Sequence, residues 1–209
     1  TMTSGLDDDS QLVVKSNLTY LADAGTRWSY SNVFQLLMDV VAAASDQEFE
    51  TYFDAKLRNK IGMDGYWDNG VIFKIYNSTT RSMARFGLLA LNNGKWKDEQ
   101  VINETFFNES ITTSQNINPS YGYLWWLNGK SDYMVPGGQT VYDGPLVPQA
   151  PADMYAAMGA EDQRIYVVPS MNMVVVRMGE ASDPDNPNFA LSGFDNALWE
   201  KINAVLNMP

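Results

Sequence analysis

The sequence predicts an α+β fold, with helices in its first half and antiparallel strands in its second. Three observations lead to this prediction. Apolar residues recur at helical spacing up to about residue 118. From residue 119 onward the chain is rich in aromatic and β-branched residues, which Gly- and Pro-rich turns interrupt. The last two predicted strands are joined by the short connection 169–172, which favours an antiparallel hairpin. Helices followed by antiparallel strands are typical of the α+β class.

Two helices are predicted first. Ser31 or Asn32 can cap the earlier one. Its apolar residues follow helical spacing and are Phe34, Leu37, Met38, Val41 and Ala44. The second covers residues 49–61, with its aromatic and aliphatic residues on one side, and Gly62 stands where a terminating glycine is expected.

Three more helices follow along the chain. One starts after Thr79 or Thr80 and ends at the Asn-Asn-Gly sequence of residues 92–94. Asn103 can open a short helix. Residues 189–206 have an apolar face at helical spacing and form the predicted closing helix.

The predicted strands lie in the second half. Residues 121–127 are aromatic and strand-like, so that Trp125 and Trp126 should point to opposite faces. Three further strands are predicted at residues 153–159, 164–169 and 172–178. The last of these is apolar almost throughout, which is typical of a strand buried on both faces.

Composition excludes several function classes. The 209 residues include 14 Lys and Arg against 25 Asp and Glu, a net charge of −11, which argues against binding to nucleic acid or to anionic membranes. The absence of Cys and His excludes disulfides, thiol nucleophiles, a Ser-His-Asp triad and His-ligated metals within this chain. No apolar run reaches the roughly 18 residues of a membrane span.

Five segments carry a family resemblance because they occur together and in order. They are TMTSGL at residues 1–6, GTRWSYSN at 25–32, SMARFGLL followed by NGKW at 82–96, YGYLWW at 121–126 and QRIYVVP at 163–169. Together they resemble the serine β-lactamase and penicillin-binding-protein superfamily, in its esterase-like β-lactamase-related branch. The resemblance covers almost the whole chain. It implies an antiparallel sheet with flanking helices plus a helical subdomain.

The same resemblance implies how the chain is organised. Residues 1–118 would form a mainly helical subdomain that carries the Tyr-Ser-Asn motif. Residues 119–209 would form the antiparallel sheet and closing helix. Both would be parts of one catalytic domain.

Tyr30 and Asn32 are the first candidate catalytic residues. A strand-to-helix turn can place both side chains on one side of a cleft. A phenolate near a cation can take the proton of a serine hydroxyl, so Tyr30 is the candidate base. Asn32 can position a lysine or the acyl group by hydrogen bonds. The structural alternative is that Tyr30 is a half-buried aromatic and Asn32 a helix cap.

The family nucleophile is the serine of a Ser-x-x-Lys motif, which this chain lacks. No lysine has a serine three residues before it; the nearest patterns are Ser78-x-x-Arg81 and Ser82-x-x-Arg85. In the family this motif precedes the segment that corresponds to residues 1–6. We therefore expect the chain to be the C-terminal portion of a longer enzyme, incomplete at its N-terminus and inactive alone.

The family's third motif, Lys-Thr-Gly or a variant, corresponds to residues 157–163, where the lysine is absent. The Ala160 N–H is the candidate oxyanion donor. Gly159, Glu161 and Asp162 are the candidate substrate-binding residues of this segment. Relatives often have glycine where Glu161 and Asp162 stand, and this acidic pair either disfavours anionic substrates or faces solvent. A tryptophan, Trp125, could also stack on the substrate.

These observations predict a serine hydrolase that acts on small ester or amide substrates through an acyl-enzyme. The N-terminal segment of the same protein would be its partner, and no metal or cofactor is implied. Export to the periplasm or beyond is expected from the family. The alternative is a non-catalytic penicillin-binding-like module that binds a ligand or a protein. A Ser-x-x-Lys motif upstream of Thr1 would distinguish the two.

Two structural expectations follow. Tyr30 and Asn32 should line one cleft with the segment 159–163. The strand at residues 172–178 should have an incomplete edge, because its second neighbour in the family comes from the N-terminal segment.

Overall fold

The computed structural model of the chain describes residues 2–8, 11–70, 72–185 and 190–206. The chain divides into two units, Thr1–Phe86 with Pro136–Gly138, and Gly87–Val135 with Gln139–Pro209. The sequence-based division at residue 118 concerns parts of one catalytic domain, and it stays a prediction.

The first unit combines short helices with two antiparallel strand pairs. Its elements are β1 (Leu6–Asp8), β2 (Leu18–Tyr20), α1 (Leu37–Ser45), α2 (Phe49–Phe53), α3 (Asn59–Ile61), β3 (Gly65–Asn69) and β4 (Lys74–Ser78). β1 pairs with β2, and β3 pairs with β4. α4 (Thr80–Leu91) begins in this unit, and its residues from Gly87 onward belong to the second.

The predicted helices of this unit are present, with differences in detail. The first begins as a 3-10 turn at Asn32–Leu36 before α1, and Ser31 precedes that turn without a side-chain capping bond. The second consists of α2, a π-helical turn at Asp54–Arg58 and α3. It ends at Gly62, whose φ of 70° lies in the left-handed region that favours glycine.

A cluster of half-buried aromatic rings joins the β3–β4 hairpin to α2 in the first unit. Trp67 and Tyr76 lie opposite each other in the β3–β4 register, so their side chains share one face. Phe53 of α2 packs edge-on against both rings, with centroids 5.3 and 4.9 Å away. Burial of these rings fixes the hairpin against α2.

The second unit is built around a four-stranded antiparallel sheet. Its elements are β5 (Lys95–Trp96), β6 (Glu99–Gln100), α5 (Glu104–Ser110), β7 (Trp126–Leu127), β8 (Asp132–Tyr133), β9 (Tyr142–Asp143), β10 (Tyr155–Met158), β11 (Arg164–Val168), β12 (Met173–Arg177) and α6 (Gly193–Leu206). The sheet order is β12-β11-β10-β7. Helices and an antiparallel sheet together confirm the predicted α+β class.

Helical segments pack on both faces of this sheet. Successive residues of β11 point to opposite faces. Ile165 faces Gly87 of α4, whereas Tyr166 packs edge-on against Trp199 of α6, with ring centroids 5.7 Å apart. All five residues of β11 are therefore buried.

The predicted strands and the hairpin are confirmed within a residue or two. β10, β11 and β12 occupy the three predicted segments, and the β11–β12 connection turns at Asn172, where φ is 47°. Asn103 caps α5 by accepting from the Phe106 N–H at 3.0 Å. α6 begins at Gly193, after Ser192, which caps it, and residue 189 of the predicted helix lies outside the described part.

The aromatic segment 121–127 differs from its prediction. Only Trp126 and Leu127 form a strand, since the chain turns at Leu124, where φ is 63°. Trp125 and Trp126 are both buried, so the prediction that one ring points outward is wrong. Trp125 lies in the turn, where the strict alternation of a strand does not apply.

β12 has a partner on one side within the part of the chain that the structure describes. It pairs with β11 and lies at the end of the sheet, as the sequence predicts, and its residues are half-buried. No helix in that part of the chain is long and apolar enough to cross a bilayer.

Candidate functional site

Tyr30 lies just before the 3-10 turn that leads into α1. It is half-buried. Its ring packs at an angle against Trp28 and Phe34, with centroids 6.3 and 6.4 Å away. Because Trp28 is fully buried, this packing anchors one side of the Tyr30 ring to the interior of the first unit.

Asn32 is buried, and its side chain ties together two distant segments of the first unit. Its Nδ2 donates to the Gln11 carbonyl at 2.8 Å and to the Ile72 carbonyl at 3.1 Å. These two bonds hold the loops at residues 11 and 72 to the buried Asn32 side chain. Asn32 is therefore a crosslink between loops, and the alternative of a simple helix cap does not describe its side chain.

The segment from Gly159 to Gln163 forms a tight turn between β10 and β11. The Gly159 N–H donates to the Gln163 carbonyl at 2.9 Å and closes the turn. Inside it, Glu161 and Asp162 have φ angles of 56° and 57°. Two consecutive non-glycine residues in the left-handed region are unusual and need support from their surroundings.

Asp162 supplies part of this support, since its carboxylate is buried inside the second unit. One oxygen, Oδ1, accepts from Arg164 Nη2 at 2.9 Å and from Ser192 Oγ at 2.8 Å. The other, Oδ2, accepts from the N–H and the hydroxyl of Ser182 at 2.9 and 2.6 Å. The two residues of the acidic pair therefore differ, because Glu161 is exposed and Asp162 is not.

Arg164 is the centre of this buried cluster. Its side chain is fully buried, and its Nε donates to Asp195 Oδ1 at 2.7 Å, an atom that also accepts the Tyr166 hydroxyl at 2.6 Å. Its Nη1 donates to the Gly159 carbonyl at 2.7 Å and to the Gln163 carbonyl at 3.1 Å. A single guanidinium thus holds both ends of the turn.

The cluster shifts the pKa values of two of its members. Burial alone would raise the pKa of Asp162, but the hydrogen bonds from Ser182 and Ser192 and the charge of Arg164 together hold it below its usual value of 3.8. Burial and the neighbouring Asp195 raise the pKa of the Tyr166 phenol above its usual value of 10. Asp162 is therefore ionised and Tyr166 neutral near neutral pH.

Comparison with known protein families shows which family the chain belongs to. The family model described as Beta-lactamase matches residues 1–191. The chain belongs to the β-lactamase family. No curated protein matches it significantly.

Solved structures support the same fold for this β-lactamase-family chain. “Putative 6-aminohexanoate-dimer hydrolase from Bacillus anthracis” is 18% identical with a TM-score of 0.62, over 93% of the chain and 48% of that protein. “Crystal structure of putative beta-lactamase from Bacteroides dorei DSM 17855” is 16% identical with a TM-score of 0.68, over 99% of the chain and 70% of that protein. The chain thus spans about half the length of the first neighbour.

The predicted site residues of this β-lactamase-family chain lie in two different units. Tyr30 and Asn32 belong to the first unit and the segment 159–163 to the second. A cleft shared by these residues stays a prediction. In the described part of the β-lactamase-family chain, no group of three or more acidic residues is arranged to hold a metal ion.

Trp125 is buried, with 8% of its surface exposed. Its ring packs edge-on against Tyr155 at 5.3 Å and against Phe107 at 6.3 Å. Substrate binding by Trp125, Gly159, Glu161 and Asp162 stays a prediction. In the structure, the buried Asp162 carboxylate stabilises the turn through its hydrogen bonds with Arg164, Ser182 and Ser192.

Sequence reasoning missed Arg164 and Asp195. The sequence patterns assign Arg164 only to a strand and Asp195 only to the amphipathic closing helix. For Arg164 the available signal was a charged residue in the otherwise apolar segment 164–169, because such a charge is almost never fully buried without a partner. Asp195 gave no such signal, since Glu200 and Lys201 lie in the same predicted helix. Which charge pairs with which cannot be read from one sequence.

Proposed function

We propose that this chain is the C-terminal part of a serine hydrolase that cleaves esters or amides through an acyl-enzyme. The match of the β-lactamase family model to residues 1–191 carries this proposal. The chain has no Ser-x-x-Lys motif, so the nucleophilic serine and its lysine would lie on a segment that precedes Thr1.

Tyr30 is the proposed general base. The lysine of the upstream segment would favour the phenolate, and that phenolate would take the proton of the serine hydroxyl as its oxygen attacks the substrate carbonyl. The proton would then pass to the leaving alcohol or amine. Water would later attack the acyl-enzyme as Tyr30 accepts its proton, and Tyr30 would pass that proton to the serine oxygen as the acid leaves. Packing against Trp28 and Phe34 limits how far the Tyr30 ring can turn.

Ala160 is the proposed source of one oxyanion donor. Its residue is exposed at a turn whose two ends are tied by Arg164, so its N–H is held in a fixed direction. A fixed N–H stabilises the negative charge of the tetrahedral intermediate without reorganisation during the reaction. Asn32 is proposed to position the site through its hold on two loops of the first unit.

The proposed substrates are small uncharged or weakly charged esters and amides. The lysine of the family's Lys-Thr-Gly motif is absent, which removes a cation that would bind an anionic group. Glu161 is exposed beside Ala160 and would repel such a group.

We propose export to the periplasm or beyond for this protein, which cell fractionation tests directly.

Hydrolysis of p-nitrophenyl esters by two proteins tests the proposal. The 209-residue chain alone should hydrolyse them no faster than the buffer does. The full gene product should hydrolyse them, and a fluorophosphonate should label its Ser-x-x-Lys serine. In that product, Tyr30→Phe should lower kcat by about a hundredfold or more, because general-base catalysis is lost.

Tyr66→Phe is the matched control, since Tyr66 is exposed on β3 and has no proposed role. It should leave kcat unchanged. A gene product without the Ser-x-x-Lys motif, or one that binds esters without turnover, would favour the non-catalytic binding module instead. Full activity in Tyr30→Phe would refute the role of Tyr30.

A further inference from the structure

The Ala160 N–H and the Gly159 carbonyl belong to the same peptide group. A peptide group is planar, so fixing its carbonyl also fixes the direction of its N–H. The Gly159 carbonyl accepts a bond from Arg164 Nη1 at 2.7 Å. A donor that binds the carbonyl oxygen also draws electron density from the N–H and makes it a stronger donor.

We propose that Arg164 is a positioning residue that orients and polarises the peptide group whose N–H, on Ala160, serves as the oxyanion donor. This inference rests on the proposed function for its effect on catalysis. The structural half of the inference is that Arg164 controls the direction and polarity of the Ala160 N–H. It can be tested on the 209-residue chain without an activity measurement.

The geometry of Arg164 fits this role because its position is fixed on every side. Asp195 accepts from Nε and Nη2, and Asp162 and the Ala190 carbonyl also accept from Nη2. Nη1 is thereby directed at the turn, where it meets the carbonyls of Gly159 and Gln163. A lysine could not make these contacts, because one ammonium lacks the planar fork of five donors.

Asp162 connects the cluster to the unusual backbone of the turn. Its left-handed φ of 57° is maintained while its carboxylate holds Arg164, Ser182 and Ser192. The turn has Glu and Asp at left-handed positions that glycine would occupy without strain. The buried cluster supplies the rigidity that the backbone conformation needs.

The charges of the buried cluster indicate which substitutions should still allow the chain to fold. It contains two carboxylates, Asp162 and Asp195, and one guanidinium, all buried. Asp195→Asn removes one of the two negative charges and leaves Arg164 paired with Asp162. The Asp195→Asn variant should therefore fold, but its Arg164 side chain should be held less rigidly. Arg164→Lys retains the positive charge but loses the fork.

The first measurement is the ¹⁵N chemical shift of the Ala160 amide in the 209-residue chain. Arg164→Lys should move it upfield, because the bond to the Gly159 carbonyl is lost and the peptide group is less polarised. Asp195→Asn should move it in the same direction by a smaller amount. If Arg164→Lys does not fold, the Asp195→Asn spectrum decides the structural half alone.

Tyr166→Phe is the matched control. It removes a buried hydroxyl that shares Asp195 Oδ1 with Arg164 Nε, and it leaves the bonds of Arg164 Nη1 to the Gly159 and Gln163 carbonyls in place. It should lower thermal stability while the Ala160 resonance stays where it is in the unsubstituted chain. An unmoved Ala160 resonance in folded Asp195→Asn or Arg164→Lys would overturn the inference, as would an equal movement in Tyr166→Phe.

The second measurement is ester hydrolysis by the full gene product. Arg164→Lys should lower kcat by about tenfold to a hundredfold, less than the loss of a whole oxyanion donor, with KM changed by no more than about twofold. Tyr166→Phe should keep kcat. Equal losses in both variants would overturn the catalytic half. If the unsubstituted product is inactive, the proposed function fails, and the Ala160 resonance still decides the structural half.

Discussion

Asn32 is a single side chain on which two loops of the first unit depend. Its amide donates to the carbonyls of Gln11 and Ile72, and these residues are 21 and 40 positions away along the chain. Each of these long-range bonds joins a loop to the buried amide, and a typical intramolecular hydrogen bond contributes about 0.5–1.5 kcal/mol to stability. A residue proposed to serve catalysis is thus also a structural crosslink.

Asn32→Ala should therefore destabilise the chain by about 1–3 kcal/mol, because it removes two hydrogen bonds that contribute about 0.5–1.5 kcal/mol each. Urea unfolding followed by tryptophan fluorescence measures this change. Asn77→Ala is the control, because Asn77 is exposed on β4. A change for Asn32→Ala no larger than that for Asn77→Ala would show that the two carbonyls find other donors.

Asp162 makes a pH-dependent contribution to stability. Its pKa is lowered below 3.8 in the folded chain. The unfolded chain then binds a proton more tightly than the folded chain does, so acid favours unfolding. The contribution of Asp162 is fully present above about pH 4 to 5 and is lost as the pH falls through its folded pKa.

Asp162→Asn should therefore reduce the steepness with which the unfolding free energy falls between about pH 5 and pH 2. At pH 7 the variant should be less stable by about 1.5–3 kcal/mol, because hydrogen bonds to a charged group are replaced by neutral ones. Urea titrations at several pH values measure both effects. Parallel pH curves for the two proteins would contradict the assignment of the lowered pKa to this carboxylate.

The site could be predicted from the sequence only in part, and Arg164 shows why. The segment 159–163 was identified through its family resemblance, and the structure gives it a turn with an exposed Ala160. Its support from Arg164, Asp195 and Ser192 depends on contacts between residues up to 31 positions apart, which no local pattern encodes.

At the scale of elements, the contact between α4 and the sheet depends on one glycine. A Cβ built on Gly87 would lie 2.4 Å from Val174 Cγ1 and 3.1 Å from Ile165 Cγ2. The helix can approach β11 and β12 this closely only because position 87 has no side chain. Packing here opposes the intrinsic helix propensity, which favours alanine over glycine.

Gly87→Ala should destabilise the chain by about 1–3 kcal/mol, the usual cost of forcing an extra methyl group into a packed interface. Thermal or urea unfolding measures it. Gly193→Ala is the matched control, because Gly193 lies at the start of α6 and a Cβ there meets nothing within 4 Å. That change should be neutral or slightly stabilising.

A double variant makes this prediction sharper. Val174→Ala removes the methyl groups that the new Cβ would meet, so Gly87→Ala should cost less in that background than in the unsubstituted chain. Equal costs in both backgrounds would place the strain of Gly87→Ala elsewhere.

Element boundaries show what local patterns can and cannot predict. Helix caps and turns with local chemistry were predicted correctly, as Gly62 and Asn103 show. The segment 121–127 was predicted as one strand because it is aromatic, but it contains a turn at Leu124. Its conformation follows from packing of Trp125 against α5 and β10, which overrides strand propensity.

At the scale of the whole molecule, the sheet edge at β12 offers backbone groups for pairing with a further strand. In the part of the chain that the structure describes, β12 pairs only with β11. Three consecutive valines, residues 174–176, make this edge apolar, and it lacks the proline or lysine that commonly protects an edge strand. In an antiparallel pair, alternate residues direct their N–H groups toward the neighbouring strand and the others away from it.

Hydrogen exchange of the chain alone should therefore show two alternating classes of amide along β12. Those that face β11 should exchange slowly, and those that face away should exchange fast. β11 is the internal control, because it is flanked by β10 and β12 and its amides should all be slow. In the full gene product proposed above, the fast class should become slow as a strand of the upstream segment covers the edge. Slow exchange of every β12 amide in a dilute sample of the chain alone would show that this edge is already covered.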